Sequence, residues 1–434
     1  MTPRPAVMAA VEKLNYRVTV GDVAAQSGLD LNLAERELLS LSTEAGGHMQ
    51  VAESGEIAYK FDPNFRNVLL SRSFKLQVQA WLQSAWKWLF SLIRISFGIL
   101  LIVSIAIVVI AIIAALIAIQ SQSRDDNDNR RDDRSSGGGF FPNIWLWWGN
   151  PFSTFSPNYY ENRRQVRSSD EGEKMGFLDS VFSFLFGDGN PNADLDEKRY
   201  RSIAKVIRNN NGVVTAEQIV PFLDDLGQVS EGYEDYMIPV LIKFNGQPQV
   251  SDLGAIVYQF PELQKVASER QKTQVNDYLT EDRWEFSKAG GGRVGLSIGL
   301  GVFYFVAALF LGSLLQDPRL IGQLTGFLGF ASAAYGFLLG YAILFLTVPL
   351  VRYFVLKFLI NPKIAARNQQ RVVRFNQLKQ LSDALKQKLD FARQFATSQE
   401  VIGADNLAYT TETDLNDQEY QKLLKERDAN RDRP

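Results

Sequence analysis

MQVAESGEIAYKF, residues Met49–Phe61, reads almost the same as PQVSDLGAIVYQF, residues Pro248–Phe260, 199 positions later. Aligned without a gap, Gln50, Val51, Gly55, Ile57, Tyr59 and Phe61 meet identical residues at Gln249, Val250, Gly254, Ile256, Tyr258 and Phe260. In each stretch a glycine, the residue most tolerant of positive φ, precedes an alternating Ile-x-Tyr-x-Phe strand. That pattern predicts a β-hairpin with one apolar face.

Working back from each hairpin, the same order of elements precedes it. In the first copy Pro3–Leu14 reads as a helix, Arg17–Val20 as a short strand, and Gly21–Ser27 and Leu31–Ser42 as helices around a Gly28–Leu29–Asp30 turn. In the second, Asp196–Asn209, Val213–Thr215, Ala216–Leu226 and Met237–Phe244 repeat that order, with Pro239 in the first turn of a helix, where proline is tolerated. Helix, strand, helix, turn, helix, hairpin is the order of a winged helix. Two winged-helix-like α+β domains are therefore expected, at residues 1–62 and 176–262.

Between and after them the chain turns apolar. Ile95–Ile119 runs 25 residues without a charge, about 37 Å as a helix at ~1.5 Å per residue. That length crosses a hydrocarbon core of ~30 Å with some tilt. A first transmembrane helix is expected at 95–120 and a second at 293–315. Residues 320–360 are long for one helix and tight for two. Positive charge flanks both ends of the membrane region, with Arg66, Arg72, Lys75, Lys87 and Arg94 before it and Lys363, Arg367, Arg371 and Arg374 after it. The chain is expected to be a mainly α membrane protein with three or four transmembrane helices, 320–360 being a hairpin or one long helix; because positive flanks stay cytoplasmic, an even number and hence the hairpin is the preferred reading. On that topology both termini are cytoplasmic and the second domain lies on the opposite side of the membrane from the first. No apolar targeting core precedes the first domain, so the first membrane segment is expected to be internal and permanent.

The remaining segments follow from composition. Residues 63–94 read as an interfacial connector, with Trp81, Trp86 and Trp88 set among lysines at headgroup depth. Residues 121–175 join a charged linker to the aromatic loop Phe140–Tyr160, whose Trp145, Trp147 and Trp148 are candidates for contact with a membrane surface or partner. Residues 263–292 are expected as a helical connector, 361–397 as a basic amphipathic helix, and 398–434 as a mobile acidic tail. Phe177–Phe186 is an apolar helix that either caps the second domain or lies on the bilayer. Gly295/Gly299, Gly322/Gly326 and Gly336/Gly340 are GxxxG pairs, expected to pack helices within the chain or, as the alternative, to form a homodimer face.

Chemistry is thinly provided for. Among 434 residues there is no cysteine and His48 is the only histidine, which removes disulfides, Cys/His zinc sites and histidine acid–base catalysis. The Asp188–Asp194 loop has oxygen ligands at alternate positions but Arg199 where a Ca²⁺ loop needs its bidentate Glu, so it reads as a turn. Arg352 and Lys357 are expected to snorkel out of the apolar region, and the spans hold no Asp or Glu to serve an ion path. No enzyme activity, metal or cofactor is expected.

Charge also bears on nucleic acid. Residues 1–62 hold five Arg/Lys against nine Asp/Glu, and residues 194–263 hold six against eleven. Glu35 and Glu37 lie on the helix that would enter a DNA groove, where they repel phosphates. Protein contact is the better reading of both domains, with Glu35, Glu37, Tyr258 and Phe260 as candidate interaction residues.

GFLDSVFSFLFGDGNPN (Gly176–Asn192), YEDYMIPVLIKFNGQPQV (Tyr233–Val250) and GAIVYQFPELQ (Gly254–Gln264) resemble a family of cyanobacterial and plastid multi-pass membrane proteins. A plant member carries an iron–sulfur cluster biosynthesis label, which a chain without cysteine cannot serve as a cluster ligand. The resemblance implies a thylakoid or plasma membrane setting. The expected function is a membrane scaffold that touches lipid and recruits a membrane protein complex during biogenesis or maintenance of photosynthetic complexes. A transporter or channel subunit with regulatory domains is the alternative, and a membrane-tethered transcription regulator the third reading.

Overall fold

A computed structural model describes residues 4–72, 74–122, 176–224, 234–268, 272–320, 324–380, 382–396, 400–403, 407–414, 417–420, 423 and 427. The linker, the aromatic loop with Trp145, Trp147 and Trp148, and Gly322 lie outside them.

The first module comprises α1 (Pro5–Lys13), β1 (Arg17–Thr19), α2 (Val20–Ser27), α3 (Leu31–Ala45), β2 (His48–Ala52) and β3 (Ile57–Lys60). Local chemistry sets its boundaries. Thr19 and Asp22 form a capping box at the start of α2, the Thr19 hydroxyl taking the Asp22 N–H and the Asp22 carboxylate the Thr19 N–H. Gly28 ends α2 at φ 75° and Gly46 ends α3 at φ 71°, backbone that disfavours any side chain. Then come α4 (Phe65–Arg72) and the 49-residue α5 (Phe74–Gln122), and, beyond the linker, α6 (Phe177–Phe186).

The second module comprises α7 (Leu195–Asn209), β4 (Val213–Val214), α8 (Ala216–Ile219), α9 (Ile238–Phe244), β5 (Gln247–Val250) and β6 (Ile256–Gln259), followed by α10 (Pro261–Gln264) and β7 (Lys265–Val266). Its sheet runs β4-β6-β5 and the first module's runs β1-β3-β2. The register also matches. Tyr59 sits across from Val18 and Met49, and Tyr258 across from Val214 and Pro248.

The later elements are α11 (Gly291–Leu315), α12 (Gly326–Phe354), α13 (Asn361–Lys379), α14 (Asp383–Arg393), β8 (Glu400–Val401) and β9 (Leu407–Thr410). Three helices among the described residues, Ser84–Ser121, Gly291–Leu315 and Gly326–Lys379, are long and apolar enough to cross a membrane. Residues 320–360 are therefore not a hairpin. After a short turn at Pro318–Leu320 one helix begins at Gly326 and runs past Pro349 and the π-helical turn Val355–Ile360 into α13. Nothing between Gly326 and Pro349 breaks a helix, and a chain with no water to satisfy its backbone stays helical.

The fold divides into two units. One holds residues 1–89, 189–284 and 355–434, and the other residues 90–188 and 285–354. In the first, both modules contribute to a single apolar core, with Val11, Leu38 and Tyr59 from one and Ile203, Phe222, Phe244 and Phe260 from the other. Modules on opposite sides of a membrane could not share a core, so the second module does not lie across a membrane from the first. Three further expectations change here. Residues 272–290 form no helix, because asparagine side chains capture their backbone. Asn209 pairs with Thr273, Asn192 with Asp282, Asn361 with Trp284 and Asn368 with Glu281, each carboxamide both donating and accepting at 2.7–3.1 Å. The basic helix is two helices, parted where Ser382 caps α14 through the Leu385 N–H. The acidic tail is tied down in part, β8 pairing with β7 and β9 with β2.

In the second unit α6, α11, α12 and the apolar part of α5 surround a core of Leu101, Phe184, Tyr304, Leu311, Leu338 and Phe345. α6 thus contributes to the core of the apolar helices and not to the core that the modules share. Close packing falls on glycines other than the GxxxG pairs. A Cβ on Gly301 would stand 2.6 Å from the Phe345 ring, one on Gly98 2.7 Å from Leu178, and one on Gly312 would collide with the Tyr335 hydroxyl. Gly295, Gly299, Gly326, Gly336 and Gly340 have nothing within 4 Å. Notches form where a bulky ring must be admitted, and spacing alone does not say which face meets one.

Candidate interaction surface

Of the expected interaction residues described, only Glu35 lies on the surface. Phe260 is fully buried, and Tyr258, 4% exposed, donates its hydroxyl to Glu234 at 2.7 Å. Glu37 is buried and accepts the Arg4 N–H at 2.9 Å. These three are structural, because alternation sends Tyr258 and Phe260 inward and the Arg4 contact turns Glu37 away from any partner.

Exposed apolar side chains instead mark the second module: Ile238 and Ile242 on α9, Val250 on β5 and Leu253 in the hairpin turn, the last 85% exposed. Where the first module has Thr43 and Ser54, the aligned positions of the second are Ile242 and Leu253. At Ile242 and Leu253 the signal was therefore in the differences between the copies, whereas Val250 is one of their identities.

What joins the modules is mostly buried. The Asp22 carboxylate, fully buried and already capping α2, accepts from Arg208 of α7 at 2.9 Å and from the Ala267 N–H at 3.0 Å. Gly21 and Gly28, at the two ends of α2, let the helix approach backbone of the other module. A Cβ on Gly21 would collide with the Glu262 carbonyl, and one on Gly28 would come within 2.6 Å of the Glu197 carbonyl. Lys265 adds an ion pair to Glu56 at 2.6 Å.

The acids of the second module meet the bases of α13 and α14. Arg371, 1% exposed, pairs with both Asp224 and Glu281, and Arg367 pairs with Glu281. Burial raises the Glu281 carboxyl pKa, but the hydrogen bonds and charges of Arg367 and Arg371 outweigh it and hold the group below its ordinary value. Lys388 lies 2.7 Å from Glu217 and 2.8 Å from Glu234. Burial lowers its pKa, the two carboxylates raise it, and the net shift is upward. The basic face that the sequence offers to a partner helix or an anionic membrane is thus occupied by this chain's own acids.

Arg352, expected to snorkel, is held by local partners. It donates to the Phe184 carbonyl at 2.9 Å and lies over the Phe286 ring, 4.4 Å from its centroid. Beside it Asp188 accepts from Arg94 at 3.0 Å, from the Ser183 hydroxyl at 2.5 Å and from the Lys288 N–H at 2.8 Å. Among the described residues no three His, Asp or Glu side chains gather into a cluster that could hold a metal ion.

A body built from two small α+β modules, carried on a chain with three helices able to cross a membrane, defines a multi-helix, membrane-type protein with a substantial polar part. The sequence is 38% identical over 437 residues to "Uncharacterized protein At5g03900, chloroplastic" of Arabidopsis thaliana, an alignment covering 96% of this chain and 80% of the plant protein. The chain belongs to the family of that protein. No family model matches the sequence. No solved structure matches it.

Proposed function

We propose that the chain is an integral-membrane scaffold of a plastid-type or cyanobacterial membrane, its two modules being duplicated winged-helix-like domains that recruit a membrane protein complex during assembly or maintenance. The observation that carries this reading is the joining of both modules, through Asp22 and Arg208 and a single apolar core, into one compact unit. A jointly built surface suits a large protein partner better than two independent small-molecule sites. The chloroplastic setting of the plant relative supports the location. Excess acid on both modules argues against DNA as the partner.

Affinity purification of the full chain from gently solubilised membranes tests the proposal. A stable membrane-protein partner is expected with the native chain, and Ile242→Glu and Leu253→Ser, both at exposed positions, are expected to reduce its recovery without lowering the thermal midpoint. Recovery of the chain only as a lone species overturns the reading. A transporter subunit ranks below it, because the apolar helices carry no Asp or Glu and the nearby Asp188 is engaged by Arg94, Ser183 and Lys288.

A further inference from the structure

The two sheets treat the same edge in opposite ways. β2 and β5 are aligned, and each lies outermost among the three strands of its own module. On β5, Pro248 has no N–H to offer, and no strand among the described residues pairs there. On β2 the aligned residue is Met49, and β9 fills the edge, with Gln50 facing Thr410, Val51 facing Tyr409 and Ala52 facing Leu407. An edge that needs only protection from unwanted pairing can be blunted, as β5 is. β2 instead keeps its backbone donors and is covered by a separate segment.

That cover is lightly held. β9 has four residues, of which Ala408 and Tyr409 are exposed. At its end Met49 donates its N–H to the Thr411 hydroxyl at 2.8 Å, and the Thr411 N–H returns to the Met49 carbonyl at 2.9 Å. Lys60 pairs with Glu412 at 2.6 Å, but both side chains are more than a third exposed, and such pairs stabilise little. Leu407 is the apolar anchor, beside Ala52, Ala58, Ala267 and Ile402. The chain before it is held separately, by Ile402, 2% exposed, and by the pairing of β8 with β7. β9 can therefore lift while the preceding chain stays in place, a local opening that costs far less than global unfolding. The outer side of β9 is closed by Gln418, whose carboxamide accepts the Thr410 N–H at 3.1 Å and donates to the Thr410 carbonyl at 2.7 Å. Growth of the sheet stops there, so the position open to exchange is the one that β9 itself occupies.

We propose that the outer edge of β2 is a strand-addition site for an extended segment of a protein partner, and that β9 is its displaceable intramolecular occupant. β9 also gives the chemistry of that segment. It carries a leucine-like side chain to sit beside Ala52 and Ala58, a threonine four residues on to bond Met49, and then a carboxylate to meet Lys60. Tethering gives β9 a high effective concentration, so a free segment binds only where β9 is weakened or outcompeted. This goes beyond the scaffold reading, since it names a site on the first module and the form of what enters it.

A labelled peptide of residues 407–414 tests the proposal by fluorescence anisotropy on the full-length, detergent-solubilised chain. Thr411→Pro removes both Met49–Thr411 bonds and leaves the edge intact, whereas Met49→Pro releases β9 and spoils the edge. The peptide is expected to bind the Thr411→Pro chain on the order of a hundredfold more tightly than the native chain. Leu407→Asp, which loosens β9 at its other end, is expected to act in the same direction, and Met49→Pro to abolish binding. Equal affinity for the native and Thr411→Pro chains overturns the proposal, because β9 is then no competitor. Binding that survives Met49→Pro also overturns it, as does no binding to both Thr411→Pro and Leu407→Asp. No natural partner enters this test, so its failure is separable from a failure of the scaffold reading.

Discussion

The Asp22 carboxylate and the Arg208 guanidinium, 186 residues apart in the chain, meet at 2.9 Å. Asp22 is fully buried and Arg208 nearly so. The same carboxylate caps its own helix and accepts the Ala267 N–H, so one side chain closes a local structure and a long-range one together. Removing one partner of such a buried pair strands the other charge, which costs about 3–5 kcal/mol. Asp22→Ala is therefore expected to lower the thermal midpoint of the detergent-solubilised chain sharply, and Asp22→Ala with Arg208→Met to recover part of the loss. A double variant no better than the single one would show that the cap, and not the pair, matters.

Gly21 and Gly28 give a second test of the module junction. Gly28→Ala combines a left-handed backbone with a collision at the Glu197 carbonyl, whereas Gly46→Ala has the same backbone and open space around it. The expected cost at Gly46 is about 1–2 kcal/mol, the penalty of the left-handed region alone. A clearly larger fall in thermal midpoint is expected at Gly28, and also at Gly21→Ala, where φ is not positive and only the collision acts. Equal costs at Gly28 and Gly46 would mean that the modules do not press together at α2.

Stability should fall at both ends of the pH scale for different reasons. The Glu281 carboxyl is held below its ordinary 4.5, so its contribution is complete above that value and is lost as pH falls through the lower folded value. The Lys388 ammonium is raised above its ordinary 10.5, so its contribution is complete below 10.5 and is lost as pH rises through the higher folded value. Glu281→Gln is expected to flatten the acid limb of a midpoint-against-pH curve, and Lys388→Met the alkaline limb, each leaving the other limb in place.

Among the apolar helices, Gly301→Val is expected to disrupt folding, because Phe345 fills the notch, while Gly299→Val, facing open space, leaves the thermal midpoint nearly unchanged. Size-exclusion chromatography of the same variants separates the two roles of glycine. A change of oligomeric state on Gly299→Val would reveal a dimer face.

The free edge of the first hairpin is paired with β9, no strand among the described residues pairs with that of the second, and one aligned pair explains it. Met49 donates its N–H to the Thr411 hydroxyl at 2.8 Å and accepts the Thr411 N–H at 2.9 Å. At the aligned position Pro248 has no N–H to donate, which blunts an exposed edge. Met49→Pro is expected to release β9, seen as faster proteolysis within residues 407–414 and unchanged cleavage elsewhere.

The hairpins were legible because a strand's alternation writes its inward face directly, as in Ile57-x-Tyr59-x-Phe61. The apolar helices were legible because spanning a bilayer demands an uninterrupted run such as Ile95–Ile119. Tyr258 and Phe260, by contrast, are core residues and not the expected contacts, because periodicity marks a face as apolar without saying whether a partner or the core covers it. The GxxxG pairs misled similarly, since spacing does not tell Gly299 from Gly301.

By itself, then, the sequence determined the elements: two hairpins with matching faces, helices bounded by Thr19, Gly28 and Gly46, and long apolar spans, all written by short-range periodicity and backbone preference. Only the tertiary structure decided what those elements meet. That the modules share a core, that Asn192, Asn209, Asn361 and Asn368 bind the backbone of Asp282, Thr273, Trp284 and Glu281, and that Arg371 neutralises Asp224 and Glu281 depend on groups distant in the chain. Charge counted by segment showed acidic modules and a basic helix, but Coulomb attraction acts through space, and the fold brought those opposites together within one chain.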